Sequence, residues 1–190
     1  ISESLSQLGD GLPPTAGEVY QREFAVVNDL LSSCDARFTI QLGNSMSVRY
    51  ASWSNPSNAQ IFANRGTSGI DGSLSTAVGY AMANPDTHCV AILGDVSAIY
   101  DAHALWTNQL PNNVSIVVLN NRGGQIFNWI GGPKDVPSLM PLIETPHNYD
   151  FKHLCDLYQI QYAHHTEQPN TPWPTRFLNQ LGCTLWECHI

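Results

Sequence analysis

Four short apolar runs, each stopped by a polar or glycine-containing cluster, constrain this 190-residue chain more than any other feature. The run at 38–42 stops at Gly43-Asn44-Ser45, 61–63 at Asn64-Arg65-Gly66, 89–93 at Gly94-Asp95, and 114–119 at Asn120-Asn121. Apolar runs of this length, without alternation, are the mark of strands buried on both faces. Helical patterns lie between and around them. Residues 18–33 carry Val19, Phe24, Val27, Leu30 and Leu31 at helical spacing, and 73–83 and 98–109 are further helix candidates. A Gly/Pro-rich loop covers 122–146. Helices are then expected over 151–158 and 174–181, and strands over 160–163 and 184–188. Strand–helix alternation of this kind builds βαβ units. The expected fold is α/β, a three-layer sandwich around a mostly parallel sheet of about six strands. In such sheets ligands bind at the carboxyl ends of the strands, where the polar clusters fall.

Composition narrows the function. Hydrophobic residues make up 43% of the chain, enough for a core, and charged residues only 13%. That balance argues against disorder and suits a surface covered by another domain or subunit. The net charge of -8, with no basic cluster, excludes a typical nucleic-acid binder. No apolar run is long enough to span a membrane, and the N-terminus has no signal-peptide pattern. The first residue is Ile1 rather than Met. We therefore expect a piece of a longer cytoplasmic protein, with 1–17 as linker and 18–190 as one domain. The five cysteines are scattered, without a Cys-x-x-Cys pair, which suits a reducing compartment. Cys183, Cys188, His189 and His164-His165 are too loosely spaced for a structural zinc site and read as features of terminal strands. The seven histidines match no motif, and none is assigned a role.

The usual nucleotide fingerprints are absent: there is no P-loop, and no Gly-x-Gly-x-x-Gly follows a strand. Instead Asp95 and Asn121 stand 26 residues apart, each just after a strong apolar run. One helix and one strand fit between them, so both fall at the same edge of the sheet. Mg2+ takes about six oxygen ligands and often shares them with a diphosphate. The Asp95 carboxylate, the Asn121 amide oxygen and a backbone carbonyl would leave positions for phosphate oxygens and water. Gly94, Ser97 and the first amides of the following helix could approach the phosphates. The plainer alternative is an Asp that caps a helix and an Asn-Asn turn.

The blocks 43–49, 64–72, 94–101 and 120–127 carry a resemblance beyond this chemistry. Gly94-Asp95 followed by Asn120-Asn121 resembles the thiamine-diphosphate motif, with Val96 where that motif usually has Gly. The wider sequence resembles the 2-succinyl-5-enolpyruvyl-6-hydroxy-3-cyclohexene-1-carboxylate synthases of menaquinone biosynthesis, which carry an apolar residue there. Gly9-Asp10-Gly11 matches the literal triplet better, but no strand precedes it, and it reads as a linker turn.

The resemblance implies thiamine diphosphate and Mg2+ as cofactors, with Mn2+ as an alternative metal. It implies that Asp95, Asn121 and the Gly123 carbonyl hold the metal, with Gly94, Ser97 and Gly124 along the diphosphate. Ile70 would be the apolar wedge beneath the bent cofactor, whose own aminopyrimidine then takes the C2 proton to give the ylid. Ser45, Arg49 and Arg65 match residues that contact carboxylate-bearing substrates, and guanidinium groups suit that task. Ile126 and Phe127 match an apolar wall at the reacting centre. The substrates would be 2-oxoglutarate and isochorismate. The activating Glu would lie in an upstream domain, in a homodimer or homotetramer, so the chain alone is expected to bind cofactor weakly and not to turn over. An acetolactate-synthase-like carboligase and a non-catalytic assembly domain are the alternatives.

Overall fold

The computed structural model describes residues 16–55, 58–107, 109–165, 172–180 and 182–190. Residues 1–15 of the expected linker over 1–17, with Gly9-Asp10-Gly11, lie outside them. In chain order the elements are α1 (Glu18–Ser33), β1 (Phe38–Leu42), α2 (Met46–Trp53), β2 (Gln60–Ala63), α3 (Ser73–Ala83), β3 (His88–Gly94) and α4 (Asp95–Tyr100). A 3-10 turn (Ala102–Leu105) leads to β4 (Val114–Asn120), α5 (Ile126–Trp129), a second 3-10 turn (Pro133–Asp135) and α6 (Met140–Glu144). The chain ends with α7 (Phe151–Tyr158), β5 (Gln161–His165), α8 (Trp173–Leu178) and β6 (Thr184–His189).

The six strands form one sheet in the order β2-β1-β3-β4-β6-β5, and every neighbouring pair is parallel. Alternate residues of each central strand feed two separate cores. Val90 and Ile92 of β3, Val117 and Leu119 of β4, and Trp186 of β6 pack with Val27, Leu30 and Leu31 of α1, Tyr50 of α2 and Phe177 of α8. On the other face Ala91, Leu93, Ile116, Val118 and Leu185 pack with Leu74, Ala77 and Val78 of α3 and with Phe151 and Cys155 of α7. Burial on both faces explains the unbroken apolar runs in the sequence. The expected three-layer parallel sandwich is the fold observed.

Four local expectations need correction. The segment 46–53, left unassigned above, is a helix that buries Met46 and Tyr50 one turn apart. The helix expected over 98–109 starts at Asp95 and breaks after Tyr100. Asp101 breaks it because its buried carboxylate accepts the amide of Ser75 at 2.7 Å and its hydroxyl at 2.6 Å, which ties this point to the start of α3. The long loop after β4 holds three short helical turns. The last helix begins at Trp173 and ends at Leu178, one residue earlier at its start and short of the expected 181.

The order in which strands are added reverses between β1 and β3, since β2 lies to one side of β1 and β3 to the other. Such a switch point opens a crevice at the carboxyl ends of the two strands. Gly43 sits there with its amide on the Ile92 carbonyl at 2.8 Å. A Cβ at Gly43 would meet the backbone of Ile92 and Leu93 at 3.3 Å, so glycine permits this close crossing. Among the described residues no helix is long and apolar enough to cross a membrane.

Candidate functional site

A pocket of about 840 Å3 opens at the carboxyl end of the sheet. Every residue singled out from the sequence lines it: Ser45, Arg49, Arg65, Ile70, Gly94, Asp95, Ser97, Asn121, Gly123, Gly124, Ile126 and Phe127. The strand-end clusters meet because β1, β3 and β4 are adjacent and parallel.

Asp95 begins α4 and is 2% exposed. Its Oδ1 accepts the Val96 amide at 2.7 Å and its Oδ2 the Gly123 amide at 3.0 Å. Burial pushes the carboxyl above the ordinary carboxylate value, opposed by the Val96 amide, by the nearby His147 and by the amides of Gly123 and Arg122. The burial effect is the largest of these. The Val96 amide at the start of α4 is engaged by Asp95.

Asn121 supplies the second piece. Its Nδ2 donates to Glu23 Oε1 at 2.6 Å, and its Oδ1 is buried without a hydrogen-bond partner among the described residues. Buried polar atoms are seldom left unpaired, and an orphaned amide oxygen beside a desolvated carboxylate is what a hard cation would complete. Gly123 turns the backbone with φ +152°, in a region reserved for glycine. Its carbonyl accepts the Gln125 amide at 3.0 Å and keeps a second lone pair. The donor set is all oxygen, as Mg2+ requires.

The remaining predicted residues arrange around this centre. Ser97 Oγ donates to the Ile70 carbonyl at 2.7 Å, which ties the loop carrying Ile70 to α4. Arg49 Nη1 donates to the Ser45 carbonyl at 2.6 Å, and Arg65 Nη1 to Asn44 Oδ1 at 2.7 Å. Among the described residues neither guanidinium pairs with a carboxylate. Burial and then the neighbouring Arg65 hold the Arg49 pKa below its usual value. Two cations share one wall, an arrangement suited to an anion with two negative charges. Ser45 adopts φ +72°, a strained conformation of the kind stored at functional sites.

Two pocket residues were missed. Glu23 of α1 is 1% exposed and also accepts the Tyr50 hydroxyl. Burial pushes its carboxyl up to about 7, with hydrogen bonds from Tyr50 and Asn121 opposing. Its signal was legible as an acidic residue one turn after Val19 and one turn before Val27, inside the apolar stripe. His147 is almost fully buried with Nε2 at 3.2 Å from Asp95 Oδ2, near enough for ionic attraction though without hydrogen-bond geometry. Its Nδ1 accepts the Tyr149 amide at 3.2 Å. Only the fold of the 122–146 loop brings it to Asp95, and no local pattern announces it.

The family model described as thiamine pyrophosphate enzyme, C-terminal TPP binding domain, matches residues 42–172. The chain belongs to this family. Among curated proteins, the 2-succinyl-5-enolpyruvyl-6-hydroxy-3-cyclohexene-1-carboxylate synthase of Cytophaga hutchinsonii is 44% identical over 143 residues, 74% of this chain and 25% of that protein. The synthase of the same name from Christiangramia forsetii is 38% identical over 148 residues, 76% of this chain and 25% of that protein. The chain thus spans about a quarter of the length of these relatives. Among solved structures, the thiamine diphosphate-dependent 4-hydroxybenzoylformate decarboxylase of Rhodococcus jostii RHA1 superposes with a TM-score of 0.64 at 24% identity, over 95% of this chain and 34% of that one. That likeness shows a shared fold. A thiamine-pyrophosphate-binding domain therefore carries the pocket described above.

Proposed function

We propose that this chain is the diphosphate-binding part of a 2-succinyl-5-enolpyruvyl-6-hydroxy-3-cyclohexene-1-carboxylate synthase. Such an enzyme would use thiamine diphosphate and Mg2+, decarboxylate 2-oxoglutarate and join the remaining four-carbon unit to isochorismate. The observation that carries the reading is the orphaned Asn121 Oδ1 in the same pocket as the desolvated Asp95 carboxylate. The 38–44% identity to synthases of that name supports the choice within the family.

In this reading Asp95, Asn121 Oδ1 and the Gly123 carbonyl hold the cation, and Gly94, Ser97 and Gly124 lie along the diphosphate. When bound, thiamine diphosphate supplies an acidic carbon that adds to the 2-oxo carbon and takes up the electron pair released as carbon dioxide leaves. Ile70, tied down by Ser97, props the cofactor from below. Arg49 and Arg65 grip substrate carboxylates, and both proposed substrates are dicarboxylates. Ile126 and Phe127 wall the centre with apolar surface, which keeps water from the reacting carbon.

The test uses the intact gene product with thiamine diphosphate, Mg2+, 2-oxoglutarate and isochorismate. Carbon dioxide release and the mass of the adduct are followed, with Asp95→Ala as the variant. Adduct formation that vanishes in the variant supports the reading. A preference for pyruvate over 2-oxoglutarate would favour an acetolactate-synthase-like carboligase, and intact protein that takes up no cofactor would favour an assembly role. The 190-residue chain by itself is expected to bind cofactor weakly and not to turn over.

A further inference from the structure

The side chain of Asn121 poses a problem of orientation. The amide N and O of an asparagine are nearly the same size, so rotating the group end over end meets little steric resistance. Only hydrogen-bond partners decide which atom faces the pocket. For Asn121 the partner is Glu23, whose Oε1 accepts a hydrogen bond from Nδ2 at 2.6 Å. Both Glu23 oxygens act as acceptors here, Oε1 from Asn121 and Oε2 from the Tyr50 hydroxyl. The NH2 end is therefore drawn to α1, and Oδ1 is left at the other end of the amide, buried and without a partner among the described residues.

Glu23 is itself pinned. Its Oε2 accepts the hydroxyl of Tyr50, a fully buried side chain of α2. One residue nearer α2's N-terminus is Arg49, which lines the same pocket. A second contact fixes α1 against the loop after β4, because Tyr20 donates its hydroxyl to the Gln125 carbonyl at 2.8 Å. The neighbouring Asn120 is held in a parallel way. Its Nδ2 donates to the buried Glu187 at 2.5 Å, and its Oδ1 accepts the Arg122 amide at 3.2 Å. Both amides of the Asn-Asn pair are thus oriented by a buried carboxylate.

Glu23 has no cation partner among the described residues, and a carboxylate buried that way disfavours folding unless something else requires it. We propose that Glu23, braced by Tyr50, is a positioning residue that fixes Asn121 with its oxygen toward the pocket, and so sets the site's affinity for a divalent cation. The proposal rests on the reading of Asp95 and Asn121 as the metal-holding pair. It extends to this family's pocket the general observation that partners of metal ligands change affinity about 10–100-fold when removed.

The intact gene product, its Glu23→Leu, Glu23→Gln and Tyr50→Phe variants are titrated with Mn2+ in the presence of thiamine diphosphate. Unbound Mn2+ is read by electron paramagnetic resonance, and thermal unfolding is recorded without metal. Leucine removes the acceptor but fills the space. It is expected to leave the metal-free melting temperature unchanged or higher, while Mn2+ affinity falls about 10–100-fold. Glutamine can still turn its oxygen to Asn121 and its NH2 to the Tyr50 oxygen, so it should recover affinity to within about threefold of wild type. A purely structural role would lower stability and affinity together and would not show this split. Glu23→Leu that binds Mn2+ as tightly as wild type, or Glu23→Gln that binds as poorly as Glu23→Leu, overturns the proposal. Should Glu23→Leu not fold, Tyr50→Phe carries the test: a loss of about threefold or more supports bracing, and no loss refutes it. Wild type that takes up no Mn2+ overturns the metal-site reading itself, a result distinct from the other two.

Discussion

Gly123→Ala gives the sharpest test of the loop that completes the site. Gly123 has φ +152°, and a Cβ built there lies 2.9 Å from the Glu144 carbonyl oxygen and 3.5 Å from Pro146 Cα. Both neighbours include backbone, which cannot swing aside as a side-chain tip can. If the loop holds its place, alanine occupies a glycine-only region at about 1–3 kcal/mol, with an overlap adding about 1 kcal/mol or more. If the loop gives way, two hydrogen bonds go: Gly124 amide to Glu144 carbonyl at 2.7 Å, and Gly123 amide to Asp95 at 3.0 Å. These are worth about 1 kcal/mol and about 1.5–3 kcal/mol, the second involving a charge. Either route costs at least about 2 kcal/mol, which for a domain of this size lowers the melting temperature by about 4–8 °C. Urea unfolding should show a lower midpoint at unchanged slope. Gly131→Ala is the control, because its Cβ meets nothing within 4 Å, and its change should stay within about 0.5 kcal/mol. A Gly123→Ala change equally small would refute the claim that this turn is held by its surroundings.

Other outcomes follow from the same geometry. Gly94→Ala has open space for its methyl, so stability should stay within about 0.5 kcal/mol, while calorimetric affinity for thiamine diphosphate with Mg2+ falls at least about tenfold if the diphosphate passes there. Arg49→Ala and Arg65→Ala should each raise KM for a dicarboxylic 2-oxo acid by about 10–100-fold, the loss expected for a charged hydrogen bond. A smaller effect on pyruvate in the same enzyme would locate the lost contact at the distal carboxylate. His88 is partly buried, its Nε2 at 2.9 Å from Ser115 Oγ, and burial pushes its pKa down to about 4 from 6.5. The unfolded chain therefore takes up a proton that the native state refuses between these values. Stability is full above pH 6.5 and declines toward pH 4, by about 1–2 kcal/mol after discounting for the ring's partial exposure. His88→Gln should flatten that slope in urea titrations across the window, and an unchanged slope would assign the acid loss to other groups.

Much of this architecture was legible in the sequence because strands buried on both faces leave uninterrupted apolar runs. Residues 114–119 could be nothing else, and Val117 and Val118 do face opposite cores. The site was legible for the same reason: parallel strands place every strand end at one edge, so Asp95 and Asn121 had to come together. What escaped were features set by contacts distant along the chain. The helix over 98–109 was misplaced because Asp101 is recruited as a partner for Ser75, 26 residues away. The helix at 46–53 went unassigned because its short apolar pattern carries no cap signal and Ser45 enters it from a strained conformation. His147 matches no motif, since nothing in Thr145-Pro146-His147 tells that the loop returns to Asp95.

By itself, then, the sequence determined the layer order, the polar rim of the sheet and the oxygen-rich pair that suits a divalent cation and a diphosphate. Those properties depend on residue type and on spacing within one βαβ unit. Only the tertiary structure decided that a buried glutamate on α1 and a histidine from a distant loop would close around that pair. Desolvation and hydrogen-bond direction govern those two, and both are set by what packs against a side chain rather than by what adjoins it along the chain.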